Sequence, residues 1–184
     1  MKKKRPLEFA EKKGHSGKSR KQIMTAARQK LLPVRLETAS KRDVRTQFGA
    51  LCYRLHDDKV KILLVTSRGV GRWIIPKGWP VDGVTPSAAA AAEAYEEAGA
   101  EGEISDVVLG VFSYRKALSN DENLPCIAAV FPLRVRKLHA KFPEHKQRRR
   151  KWFSQKKAAE MVEEPELAQL IRSFRPARVG KPKG

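Results

Sequence analysis

Apolar and polar positions alternate in short runs that read as strands at Thr46 to Leu55, Val60 to Ser67, Trp73 to Pro76, Ile104 to Lys116, Pro125 to Leu138 and Arg149 to Phe153. His56-Asp57-Asp58-Lys59 joins the first two as a hairpin turn. Between the third and fourth runs the pattern changes to an alanine-dense stretch with helical character. Thr85 is placed to cap it, Pro86 suits the first helical position, and Gly99 stops it. Ser154 is the N-cap of a further helix, and a last one is predicted from Pro165 to Phe174. Strands around a central helix, with more helices at the end, predict a mixed α/β sandwich.

Three segments follow from where these patterns begin and end. Residues 1–45 are rich in Lys and Arg, with very few apolar positions before Ile23, and are expected to form a basic disordered tail. A piece from Arg20 to Leu32 has some helical character but is too short to hold without a partner. Residues 46–174 form the expected folded domain, and 175–184 a second, loose basic tail. The overall hydrophobic content of 41% is low because both ends are polar. No apolar run approaches the roughly 20 residues that cross a bilayer, and the lysine-rich start lacks an apolar core for secretion, so a cytoplasmic location without membrane contact is expected. Cys52 and Cys126 each lie in an apolar run and read as buried free thiols. The net charge of +19 implies polyanionic company.

The candidate chemistry sits on the alanine-dense helix. Its only acidic residues are Glu93, Glu96 and Glu97, and steps of three and four place them within an arc of roughly 100°. Such crowding weakens an isolated helix unless positive charge lies over it, and a hard divalent cation such as Mg²⁺ suits three carboxylates. A solvated acidic face is the competing reading of the triplet taken alone.

The segment from Gly78 to Ala100 resembles the Nudix hydrolase box, G-x5-E-x7-R-E-U-x-E-E-x-G-U with U a bulky aliphatic residue. Gly78, Glu93, Glu96, Glu97 and Gly99 match. Val84 stands in place of the first glutamate, Ala92 in place of the arginine, and Ala94 and Ala100 are smaller than the usual aliphatics. In the family that arginine helps to orient the acidic residues, so its absence bears on cation affinity and turnover. Asp82 is a candidate replacement carboxylate. Val60 to Arg68, Gly71 to Pro80, Arg148 to Ser154, Ala158-Ala159 and Glu164 to Leu167 are similar to the diphosphoinositol polyphosphate phosphohydrolase branch, particularly its bacterial relatives. The resemblance implies an α/β/α sandwich with a mixed sheet and a loop-helix catalytic box.

It also implies hydrolysis of a diphosphate linkage. Glu93, Glu96 and Glu97 would bind Mg²⁺, or Mn²⁺ in its place, with Glu97 favoured as general base and Glu96 close behind. Many relatives take the base from a separate loop, where Glu122 and Glu144 are available here. Arg68, Arg72, Lys77, Gly78 and Arg115 are the candidate substrate contacts, with Lys77 foremost because it precedes Gly78. In the run Gln147 to Lys151, strand alternation lets only half of the charge face one cleft. Trp73 and Trp152 read as sheet packing, whereas Trp79 suits a cover for the cation, a stacking platform or packing on the box helix. The implied partner is a phosphate-rich small molecule, such as a diphosphoinositol polyphosphate or a nucleoside-diphosphate-linked compound, with RNA or another polyanion as a further partner of the basic tail. The alternative is a Nudix-fold RNA or polyanion-binding module whose box has degraded.

Overall fold

The computed structural model describes residues 45–117 and 123–176. The expected disordered tail before Arg45, the piece from Arg20 to Leu32, Glu122 and the C-terminal residues beyond Pro176 lie outside the described residues.

The sheet is organised by two long strands, β1 (Arg45–His56) and β7 (Asn123–Leu138), which run parallel from Arg45↔Cys126 to Tyr53↔Arg134. All other pairings are antiparallel, so the sheet is mixed. On its other side β1 changes partner along its length. Phe48 and Gly49 pair with β4 (Lys77–Gly78), and Tyr53 to His56 pair with β2 (Lys59–Thr66). β2 in turn carries β3 (Trp73–Ile74) and β8 (Arg150–Ser154), while β7 carries β5 (Ala100–Ile104) and β6 (Gly110–Ala117). The β1–β2 hairpin turns through Asp57 and Asp58, both with positive φ, as a two-residue turn of matching twist requires.

Successive residues of the central strands face opposite sides, and this alternation builds two cores. Ala50, Cys52, Leu63 and Val65 pack with Ala90, Ala94 and Ala98 of helix α1 (Pro86–Ala98). Leu51, Ile62 and Leu64 pack on the other face with Ala158, Leu167 and Ile171 of α2 (Gln155–Met161) and α3 (Pro165–Ser173). The result is the expected α/β/α sandwich. Alanines on the inner stripe of α1 let the helix lie close to the sheet, so the smaller residues at positions 94 and 100 are buried packing positions. Cys52 and Cys126 are buried and free, and Trp73 and Trp152 pack against the two cores. Among the described residues no helix is long and apolar enough to cross a membrane.

Two expected strands are divided. The run Trp73 to Pro76 keeps only Trp73-Ile74 as β3; Ile75-Pro76 breaks the ladder because proline has no amide to give it, and β4 begins beyond the run at Lys77. The run Ile104 to Lys116 becomes the end of β5 and the start of β6, joined by residues 105–109. Most of β5 escapes pattern reading because Glu101, Gly102 and Glu103 are exposed on an edge strand and carry no apolar alternation.

The ends of α1 form as the sequence predicts. Thr85 Oγ1 accepts the Ala88 N–H at 3.3 Å, and Gly99, at φ 62°, donates to Tyr95 O at 2.8 Å. A Cβ on Gly99 would stand 2.8 Å from both Arg150 Nη1 and Phe142 Cδ1 and 2.9 Å from the His139 carbonyl. Backbone strain and close packing therefore act together, and Gly99→Ala is expected to cost about 2 kcal/mol in urea unfolding. An unchanged midpoint would show that this corner relaxes freely.

Candidate active site

The acidic side of the site is built by the approach of α1 to β4. Gly78 has no side chain, and the Glu93 carboxylate occupies the space where its Cβ would be. Glu93 is half-buried, Glu96 is exposed, and Glu97 is 6% exposed. The Lys77 amide donates to Glu97 Oε2 at 3.3 Å, so the strand before the box holds the last of the three carboxylates directly.

Arg148 reaches the same carboxylate from the segment between β7 and β8. Its Nη2 donates to Glu97 Oε1, its Nε to Glu144 Oε2, and its Nη1 to the Thr66 carbonyl at 2.9 Å. Thr66 clamps that segment to β2: its Oγ1 accepts the Arg149 N–H at 2.9 Å, and its own N–H donates to Arg149 O at 2.9 Å. Glu144 also pairs with Arg68 at 3.3 Å, and its amide donates to the Glu96 carbonyl at 3.1 Å.

The eight predicted cation- and substrate-binding residues line one cleft of about 510 Å³: Arg68, Arg72, Lys77, Gly78, Glu93, Glu96, Glu97 and Arg115. Arg72 is anchored to Glu163 at 2.7 Å. The Lys77 ammonium lies 4.9 Å from the Tyr114 ring centroid, and Tyr114 donates its hydroxyl proton to the buried Gln47. Trp79 lines the cleft at 39% exposure, with Lys116 Nζ 4.5 Å from its ring centroid. Asp82, the candidate replacement for the missing box glutamate, is exposed and does not line the cleft. The loop between Gly78 and α1 carries it outward, and the further carboxylates in the cleft are Glu144 and Glu164.

Sequence reading has no means of picking Arg148 out of four consecutive cations. The sequence sets only that half of the run faces one cleft; just before β8, Arg148 is buried and Arg149 is exposed. Arg150 returns inward to a different task, binding the Ala98 carbonyl at the C-terminus of α1 and the His139 carbonyl at 2.6 Å. Tyr114 and Gln47 escape sequence reading because nothing in their local sequence separates a cleft-facing side chain from packing.

The electrostatics of the cleft follow from burial. Burial pushes the Glu97 carboxyl up to about 7, with Glu93 adding to the rise while Arg148 and Lys77 oppose it. Burial also raises Glu93, helped by the charges of Glu96 and Glu144. The Lys77 ammonium is lowered, again chiefly by burial. Crowded carboxylates that resist ionisation are a donor set a hard cation would relieve, and all-oxygen ligation suits Mg²⁺ or Mn²⁺. Among the described residues no three acidic, histidine or cysteine groups stand together as a ready ligand set. The donor chemistry fits a divalent cation, and closing around it would require Glu93 and Glu96 to turn toward Glu97, whose two oxygens are already held.

An α/β/α sandwich in which a glycine-initiated loop feeds a helix bearing clustered glutamates is the architecture of a Nudix domain. The chain belongs to that family: the NUDIX domain model matches residues 45–174. It is 33% identical over 120 residues to Nudix hydrolase 12, mitochondrial, of Arabidopsis thaliana, covering 64% of this chain and 59% of that protein. It is 32% identical over 83 residues to diphosphoinositol polyphosphate phosphohydrolase 2 of Rattus norvegicus, covering 45% of this chain and 46% of that one. The chain thus spans less than two thirds of the length of either relative. In three dimensions it resembles the Ap4A hydrolase of C. elegans, with a TM-score of 0.51 at 20% identity over 70% of this chain and 94% of that one, a likeness of fold.

Proposed function

We propose that this chain is a cation-dependent hydrolase that cleaves a diphosphate linkage in a phosphate-rich small molecule. The observation that carries the proposal is the convergence, in one cleft, of the carboxylates Glu93, Glu96, Glu97, Glu144 and Glu164 with the cations Arg68, Arg72, Lys77, Arg115 and Lys116. A chain of phosphates needs both kinds of group: cations to grip its outer oxygens, and carboxylates to hold a divalent ion against the linkage to be broken. The named relatives, a diphosphoinositol polyphosphate phosphohydrolase among them, support substrates of the diphosphoinositol polyphosphate or dinucleoside polyphosphate type.

Glu93, Glu96 and Glu97 would hold Mg²⁺ or Mn²⁺, which supplies charge neutralisation at phosphate oxygens and a more acidic bound water. Lys77 is the principal substrate grip, because its ammonium sits in the cleft beside the box helix with the Tyr114 ring behind it. Arg72, braced by Glu163, and exposed Arg115 bind the outer phosphates. Glu97 takes the proton of the attacking water. Without metal its carboxyl is pushed up to about 7, and a bound cation would lower it, so that at neutral pH it stands ionised as a base. Trp79 lines the cleft beside Lys116.

The test is hydrolysis across diphosphoinositol polyphosphates, dinucleoside polyphosphates, nucleotide sugars and 5′-triphosphate RNA, each with Mg²⁺ and with excess chelator. Turnover of at least one small substrate, lost on chelation and restored by Mg²⁺, is expected. Binding of these polyanions with no turnover under any cation would move the chain to the class of binding modules.

A further inference from the structure

We propose that Arg148 is the positioning residue of the acidic site, filling from the segment before β8 the role that Ala92 leaves vacant on α1. The inference rests on the function proposed above. Ala92 is exposed and carries only a methyl group, so α1 itself has no cation with which to order its carboxylates. Arg148, by contrast, is 8% exposed and spends its guanidinium on three acceptors from three separate elements: Glu97 on α1, Glu144 on the β7–β8 connection, and the Thr66 carbonyl at the end of β2.

Only a planar fork of several donors can span acceptors placed this way; a lysine ammonium is a single point. The arrangement is also held from both sides. Thr66 fixes the backbone next to Arg148 through two hydrogen bonds with Arg149, and the Glu144 amide ties the connection to the Glu96 carbonyl. Glu97 is consequently fixed at both oxygens, by Arg148 on Oε1 and by the Lys77 amide on Oε2. An ionised carboxylate offers about four acceptor positions, so this leaves capacity for a cation while removing the freedom to turn away from it. Arg148 itself touches neither cation nor substrate in this scheme and acts through Glu97 and Glu144.

The Lys77 amide gives a readout that needs neither cation nor turnover, because its proton is donated to Glu97. In metal-free protein, Arg148→Gln is expected to speed hydrogen exchange at that amide at least tenfold. Exchange at the Arg72 amide, which is bonded to Ser67 Oγ, should not change. The same variant should bind Mn²⁺, followed by electron paramagnetic resonance, about 10- to 100-fold more weakly, as expected when a partner of a ligating carboxylate is lost. In turnover the loss should fall on kcat with KM within threefold of wild type. Arg149→Gln, on the outward face, should match wild type throughout.

A folded Arg148→Gln protein with unchanged Lys77 exchange, or with Mn²⁺ affinity equal to or tighter than wild type, overturns the proposal. If that variant does not fold, Arg148→Lys serves: faster Lys77 exchange and weaker Mn²⁺ binding support the role, and wild-type behaviour in both refutes it. A wild-type protein that binds no Mn²⁺ and hydrolyses nothing, yet whose Lys77 exchange still responds to Arg148→Gln, would refute the hydrolase reading while leaving the positioning of Glu97 intact.

Discussion

Glu97→Gln is expected to lower kcat about 10³-fold, or roughly 4 kcal/mol in activation free energy, while the protein stays folded. The substitution keeps the shape of the side chain and its acceptor for Arg148, and removes the charge and the basic oxygen on which the proposed reaction depends. Glu97 is the carboxylate at which the box helix, the strand before it and the β7–β8 connection meet, so its loss touches both cation binding and proton transfer. Arg148 keeps Glu144 and the Thr66 carbonyl as partners, which prevents the variant from leaving an isolated buried charge. Steady-state kinetics at saturating Mg²⁺, with circular dichroism as the check on folding, measures this. A folded variant retaining more than a tenth of wild-type kcat would remove Glu97 from the reaction.

The second large effect is a dependence of stability on pH in the metal-free protein. The Glu97 carboxyl moves from an ordinary 4.5 to about 7 on folding. A carboxyl raised in this way binds its proton more tightly in the folded chain than in the unfolded one. Between pH 4.5 and 7 the folded state therefore holds more protons, and stability falls as pH rises. The contribution is fully present below about 4.5 and is lost by the time pH has passed 7, a difference on the order of 3 kcal/mol. Glu93, raised for the same reason, acts in the same direction.

Urea unfolding at pH 5 and pH 8 in the presence of chelator should show wild type losing about 2 to 3 kcal/mol more than Glu97→Gln over that interval. At pH 8 without metal the glutamine variant should be the more stable of the two, the pattern of a site that sacrifices stability for chemistry. Saturating Mg²⁺ should restore the wild type at pH 8, because the cation favours the ionised carboxylates. Parallel profiles for the two proteins would show that Glu97 is not strained by its burial.

The periodicity of the chain determined the sandwich, the box helix and its caps, since alternation in β1 and β2 and the alanine run of α1 encode locally which face is buried. Spacing alone put Glu93, Glu96 and Glu97 on one side of that helix, and alternation allowed only half of the Gln147 to Lys151 charge into one cleft. It was the tertiary structure that decided which arginine entered the acidic site, that Glu144 joined it and that Asp82 did not. Those outcomes depend on where the β7–β8 connection crosses α1 and on how far the loop after Gly78 swings outward. Contacts of this kind lie 4 to 82 positions apart along the chain, from Arg148–Glu144 to Arg148–Thr66. No local pattern distinguishes a buried fork from a solvated cation; only the acceptors that folding brings around it do so.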